Sequence, residues 1–274
     1  MTAEVMQREL ARAQELARQA GALVLRMQRG ELAVEMKPGD EPVTVADRKA
    51  SELIVAGLAQ AFPDDPIISE ELPPGPGTLA APRKWLVDPI DGTKDFIRGE
   101  DGYSVMIGLL VGGRPALGVV YQPVVDRMFY ATPAGAFVTA NGETKPLHVS
   151  NIAKASEIRL VASKSHRSPQ LDQVKQELGI DNELNVGSVG VKLCLIAMGV
   201  RDLYVNPAAK TKAWDTCGPE AILVRAGGTL TDIHGGEIEY TSEDLAHHRG
   251  LVASNGHVHA EVVAKLSPLF PQLR

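Results

Sequence analysis

The sequence predicts two successive architectures in one chain, an α+β first half over residues 1–150 and an α/β second half over residues 151–274. Three observations carry this. Two helical patterns precede a run of short strands separated by tight turns, and sequential strands of that kind favour an antiparallel sheet with the helices covering one face. After about Ser150, strand and helix patterns alternate, which is α/β ordering. The length, 274 residues, accommodates two modest cores.

Met6, Leu10, Ala13, Ala17, Ala20, Val24 and Met27 recur at spacings of four and three and end at Gly30, an amphipathic helix with a glycine stop. A second helix follows Thr44. There Thr44 and Asp47 have capping-box spacing, and Ala50, Leu53, Ile54 and Leu58 supply the buried stripe. Asp47 then lies in the first turn, near the positive end of the helix dipole. Strands are expected at 67–69, 84–88, 104–111, 116–121, 127–131 and 136–140, punctuated by Gly, Pro and Asn turns. The proline-rich stretch 72–83 reads as a surface loop. Beyond it, strands are expected at 159–163, 202–206, 229–233 and 251–254, and helices at 170–178, 191–198, 219–226 and 258–266.

Lys and Arg number 28 against 34 Asp and Glu, a net charge of −6 with no long basic run, which argues against a nucleic-acid polymer as partner. The longest apolar stretch, 105–111, is far short of the roughly 20 residues of a membrane span. Residues 1–29 are charged throughout and lack the apolar segment of a signal peptide. A soluble, cytoplasmic protein is therefore expected. Cys194 and Cys217 form no CxxC pattern and read as reduced core thiols.

The run from Trp85 to Phe96 holds the chemistry. Asp88 and Asp91 stand three residues apart across Pro89, whose fixed φ stiffens the bend, so both carboxylates can converge on one hard cation. The N–H groups that follow, at Gly92 and Thr93, can face a phosphate. Taken alone, Asp-Pro-Ile-Asp-Gly also reads as an ordinary turn. Three further acids stand at element ends: Glu70 after a short strand, Asp47 at a helix start, and Asp215 in Trp214-Asp215-Thr216-Cys217. Separated carboxylates of this kind are the donors a hard divalent cation requires. Glu71, beside Glu70, points the other way on a strand and stays outside the set.

In this order the pieces resemble the lithium-sensitive, magnesium-dependent phosphomonoesterase superfamily that includes inositol monophosphatases and bisphosphate nucleotidases, over nearly the whole chain. Asp91-Gly92-Thr93-Lys94-Asp95-Phe96 looks like the nucleotidase version, since inositol monophosphatases usually show Thr-Asn where Lys94-Asp95 stand. Residues 37–47, Ser163-Lys164-Ser165-His166, 214–220 and 230–235 are similar to 3′(2′),5′-bisphosphate nucleotidases as well.

The resemblance implies a layered αβαβα sandwich of the inositol monophosphatase and fructose-1,6-bisphosphatase type. It implies two or three Mg²⁺ ions ligated by Glu70, Asp88, the Ile90 carbonyl, Asp91 and Asp215. Asp47 and Thr93 are then the catalytic pair that positions the attacking water and accepts its proton. Gly92, Thr93, Ser165, His166, Ser188 and Lys192 are the implied substrate contacts, although many relatives carry a serine where this chain has Val189. The implied substrate is a small phosphate ester, adenosine 3′,5′-bisphosphate, hydrolysed to AMP and phosphate by a monomer or homodimer. A link to sulfate activation and inhibition by lithium are implied with it. Inositol monophosphatase activity on the same centre, and a non-catalytic module that binds nucleotide or metal, are the alternatives.

Overall fold

The computed structural model describes residues 6–30, 34–37, 41–75, 77–164, 169–208 and 210–273. The first apolar stripe becomes α1 (Gln7–Gln28), which buries Ala13, Leu16, Ala17, Ala20 and Val24. A hairpin, β1 (Val34–Lys37) and β2 (Glu41–Thr44), leads into α2 (Val45–Ala61). Thr44 caps α2 reciprocally: its hydroxyl accepts from Ala46 N at 3.1 Å, and the Asp47 carboxylate accepts from Thr44 N at 2.8 Å.

Next come β3 (Ile67–Ser69), β4 (Lys84–Asp91), the short α3 (Thr93–Ile97), β5 (Ser104–Val111), β6 (Arg114–Gln122), β7 (Arg127–Thr132), β8 (Gly135–Ala140) and β9 (Glu143–Pro146). They form one seven-stranded sheet, β3-β4-β5-β6-β7-β8-β9, antiparallel except where β3 runs parallel to β4. Every residue of β4 is buried. Its register on β5 shifts between Asp88 and Asp91, around a proline that cannot donate to the ladder.

The remaining elements are β10 (Leu160–Ser163), α4 (Pro169–Leu178), β11 (Glu183–Val186), α5 (Val189–Ala197), β12 (Leu203–Asn206), α6 (Ala213–Arg225), β13 (Thr229–Thr231), β14 (Leu251–Ser254) and α7 (His259–Leu266). The second sheet runs β11-β10-β12-β14-β13, with β10 parallel to β11 and β12, and β14 antiparallel to β12 and β13. Helices α1 and α2 cover the outer face of the large sheet, α5 and α6 lie between the sheets, and α4 and α7 cover the small sheet. The result is the five-layer αβαβα sandwich.

The sheet changes near residue 150, yet the two halves share a core. Leu86, Met106, Val120 and Phe129 of the large sheet pack in one cluster with Leu193, Cys194, Cys217, Ile222 and Leu251 from beyond the boundary. The cause is α5, nearly all of whose residues are buried, as a helix enclosed between two sheets requires. Burial raises the thiol pKa of Cys194 and Cys217, so both behave as inert core residues. Among the described residues, no helix is long and apolar enough to cross a membrane.

Several elements differ from the sequence expectation. Helix α6 begins at Ala213, well before the expected start at 219, and carries Pro219 inside it. Proline disfavours a helix interior, but burial on both sides outweighs that preference here. The short strands β1, β2, β9 and β11 and the helix α3 have too few residues to show a period.

Helix α6 meets the large sheet backbone to backbone. A Cβ built on Gly118 would lie 2.0 Å from the Gly218 carbonyl oxygen, and one on Gly108 would lie 2.6 Å from Gly218 N. Neither neighbour is a flexible side chain, so α6 must shift to admit a methyl group. We predict that Gly118→Ala lowers folding stability by at least about 1–3 kcal/mol, measured by urea denaturation; an unchanged midpoint would contradict this contact.

Candidate active site

The parallel pairing of β3 with β4 creates the first part of the site. Ser69 pairs with Val87, and Glu70 N donates to Val87 O at 3.1 Å, so Glu70 emerges beside Asp88. At the end of β4, the Asp88 carboxylate accepts from Ile90 N at 3.0 Å. Asp215 arrives from the first turn of α6, where its Oδ2 accepts from Lys212 N at 2.7 Å. Glu70, Asp88, Ile90, Asp91, Gly92, Thr93 and Asp215 all line one pocket, and Asp88 and Asp215 share a hydrogen bond there.

Burial, first, and then repulsion among Glu70, Asp88, Asp91 and Asp215 raise the carboxyl pKa values of Asp88 and Asp215. Burial also raises Asp91. It is opposed by the nearby Lys192 ammonium, by Ser188 Oγ donating to Asp91 Oδ2 at 2.6 Å, and by Gly190 N donating to it at 2.8 Å.

Asp47 and Thr93 meet across the pocket edge. Asp47 Oδ2 accepts from Thr44 N at 2.8 Å and from the Thr44 hydroxyl at 2.6 Å, while Oδ1 faces Thr93 Oγ1 at 3.2 Å. The single Thr93 hydroxyl proton has a second acceptor, the Ile90 carbonyl at 3.1 Å. Burial is the largest influence on Asp47 and raises its pKa. Gly92 precedes Thr93 at φ +95°, a left-handed conformation that glycine adopts freely, and a Cβ there would approach Gly102 O at 3.1 Å and Ser188 N at 3.2 Å.

The expected substrate contacts divide. Gly92 and Thr93 line the pocket, whereas Ser165 and His166 lie outside the described residues. The structure places Ser188 and Lys192 behind the pocket wall, and both are fully buried. Ser188 caps α5 by accepting from Val191 N and donates to Asp91. Lys192 Nζ donates to Val186 O at 3.2 Å and Gly187 O at 2.7 Å, and sits 5.2 Å from the Tyr204 ring centroid. Burial lowers its pKa to about 8. Residues that the sequence reading missed, Lys210, Thr211, Lys212 and Trp214, also line this pocket; the alternate lysines just before Trp214-Asp215 were their only signal.

The inositol monophosphatase family model matches residues 6–269. The chain belongs to the inositol monophosphatase family. It is 38% identical over 233 residues, 84% of this chain and 93% of the relative, to the 3′(2′),5′-bisphosphate nucleotidase CysQ of Salmonella typhimurium. A histidinol-phosphatase of Mycobacterium tuberculosis is 33% identical over 243 residues, 86% of this chain and 89% of that protein. Among solved structures, the Thermotoga maritima IMPase superposes with a TM-score of 0.79 at 28% identity, covering 95% of this chain and 97% of that one. This member of the inositol monophosphatase family is a phosphatase, and the acid-lined pocket is its candidate active site.

Behind the site, α6 carries a buried polar chain. Thr216 Oγ1 lies 2.8 Å from His247 Nε2 and 3.1 Å from the Tyr240 hydroxyl, which donates to Glu220 Oε2 at 2.5 Å. Burial lowers the His247 pKa to about 4 and raises Glu220 to about 7, the latter despite the half-exposed Arg114 guanidinium at 2.9 Å. Because the folded state keeps His247 neutral, its contribution is complete above pH 6.5 and is lost as pH falls toward 4, by up to about 3 kcal/mol. Glu220 acts oppositely, since the folded state retains its proton and stability falls as pH rises from 4.5 to 7. His247→Gln should therefore flatten the acid-side loss of stability between pH 6.5 and 4 in urea titrations; an unaltered slope would contradict the buried neutral imidazole.

Proposed function

We propose that the protein is a Mg²⁺-dependent 3′(2′),5′-bisphosphate nucleotidase that removes the 3′-phosphate of adenosine 3′,5′-bisphosphate, leaving AMP. The observation that carries the chemistry is the gathering of Glu70, Asp88, Asp91, Asp215 and the Ile90 carbonyl around one pocket beside the Thr93–Asp47 pair. Identity to the Salmonella nucleotidase and the Lys94-Asp95-Phe96 tail of the motif support the substrate.

The donor set fits magnesium. Its donors are all oxygens, as a hard cation requires, and the raised pKa values of Asp88, Asp91 and Asp215 mark negative charge that the protein alone leaves uncompensated. Among the described residues, no three acidic, histidine or cysteine side chains stand close enough together to hold a metal ion by themselves. The acids instead border an open pocket, which suits Mg²⁺ because it retains waters and takes part of its coordination from substrate phosphate. Glu70, Asp88, the Ile90 carbonyl, Asp91 and Asp215 would hold the ions, which supply charge for the phosphate oxygens and acidify an attacking water.

The chain's own residues then orient the reaction. With its proton directed to Asp47 Oδ1, the Thr93 hydroxyl presents its oxygen as an acceptor to a water beside the phosphate. Asp47 is fixed by both Thr44 donors and, being more basic than an exposed carboxylate, is suited to receive the proton through Thr93. The left-handed turn at Gly92 brings the backbone of 92–94 close to the pocket, where its N–H groups can take phosphate oxygens.

The test is phosphate release with Mg²⁺ from four esters: adenosine 3′,5′-bisphosphate, adenosine 3′-phosphate, myo-inositol 1-phosphate and histidinol phosphate. The bisphosphate should give the highest kcat/KM, and preference for inositol or histidinol phosphate would overturn the substrate assignment. Asp91→Asn, which keeps the side-chain volume and an acceptor for Ser188, should lower turnover by about a hundredfold or more with the fold intact by circular dichroism. Retained turnover would refute the ligand role.

A further inference from the structure

We infer that Thr216 and His247 are positioning residues for Asp215: their hydrogen bond fixes the direction in which the first turn of α6 offers that carboxylate to a metal. This rests on the metal reading of the acid cluster and adds to it two residues outside the acid-lined pocket. A ligand has to be held within about 0.5 Å and 10–20° of its productive geometry. The Asp215 carboxylate is tied to its own chain, because Oδ2 accepts from Lys212 N at 2.7 Å. Whatever orients the turn from Lys212 to Thr216 therefore orients the ligand.

The segment 245–247 holds the start of that turn. Ala213 N donates to Leu245 O at 2.9 Å, His247 N donates to Thr211 O at 2.8 Å, and Lys212 pairs with Ala246 as an antiparallel bridge. These backbone bonds fix the entry to α6 but leave rotation about the helix axis to be fixed elsewhere. Thr216 follows Asp215 by one residue, about 100° around the helix, and its side chain is fully buried behind the site. There its Oγ1 lies 2.8 Å from His247 Nε2. A rotation of about 20° would move each Cα by about 0.8 Å and the side-chain atoms further, enough to break that bond.

The same face of α6 is gripped again one turn on. The Tyr240 hydroxyl, 3.1 Å from Thr216 Oγ1, donates to Glu220 Oε2, and Glu220 Oε1 accepts from Arg114 of β6 at 2.9 Å. The Tyr240 ring stands edge-on to His247, with centroids 6.1 Å apart. The chain of contacts thus ends on the large sheet, which also carries Asp88 and Asp91. Hydrogen bonds give this grip a direction that apolar packing lacks. Partners that orient metal ligands in this way typically change metal affinity or activity by about 10–100-fold when removed.

The test is calorimetric Mg²⁺ binding without substrate, beside the Mg²⁺ dependence of phosphate release from adenosine 3′,5′-bisphosphate. Thr216→Val and His247→Leu should each weaken Mg²⁺ binding about tenfold and raise the Mg²⁺ concentration for half-maximal turnover by a similar factor. At saturating Mg²⁺, kcat should stay within about twofold of wild type. Thr216→Ser and His247→Gln, which keep the hydrogen bond, should bind Mg²⁺ as wild type does, and the double variant Thr216→Val/His247→Leu should bind no more weakly than either single one. Val262→Ala opens a cavity in a core cluster that contains no α6 residue, and should lower stability while leaving Mg²⁺ binding unchanged. Unchanged binding in Thr216→Val and His247→Leu, an equal loss in Thr216→Ser, or an equal loss in Val262→Ala would overturn the positioning role. If wild type binds no Mg²⁺, the metal reading falls and this inference falls with it.

Discussion

The constraint on which the structure depends is the burial of like charges at the seam between its two sheets. Asp88 and Asp91 are almost fully buried, with Glu70 and Asp215 near them, and burial first and then repulsion among these carboxylates raise the pKa values of Asp88, Asp91 and Asp215. Such a cluster is tolerable only where each carboxylate has fixed donors and the remaining charge has an outside partner. Ile90 N serves Asp88, Lys212 N serves Asp215, and Ser188 Oγ with Gly190 N serves Asp91. These donors come from three separate elements, so the site is complete only where the two halves meet.

Asp91 shows this coupling most directly. It ends a strand of the large sheet, yet its two donors belong to the start of α5, which also packs on the small sheet. Lys192, one turn further along α5, places a buried ammonium near Asp91 and ties down the Val186 and Gly187 carbonyls. Helix α6 supplies the complementary restraint. The glycine-to-glycine approach at Gly118 and Gly218 sets its depth against the sheet and so sets where Asp215 enters the pocket.

Much of the fold was legible because the long elements carry strong periods. The stripe from Met6 to Val24 and the Thr44–Asp47 capping box appear in the structure where the sequence put them. The acids of the pocket were legible as a motif, since Asp88, Asp91 and Asp215 all line it, but the element ends were not: β4 continues to Asp91 and α6 begins at Ala213. The roles of Ser188 and Lys192 were not. A buried lysine and an exposed one have the same letter, and only the enclosure of α5 between two sheets distinguishes them. The shared core was hidden for the same reason, because α5 and α6 follow the boundary in sequence but pack across it in space.

The central claim is that this carboxylate cluster is a divalent-cation site that drives phosphate ester hydrolysis. The most direct measurement is phosphate release from adenosine 3′,5′-bisphosphate as Mg²⁺ is titrated into chelator-treated protein, with thermal unfolding followed in parallel. The account predicts no turnover without the ion, saturable recovery with it, and a rise in unfolding temperature over the same concentrations. Undiminished turnover in the presence of chelator, with no thermal response to Mg²⁺, would contradict it.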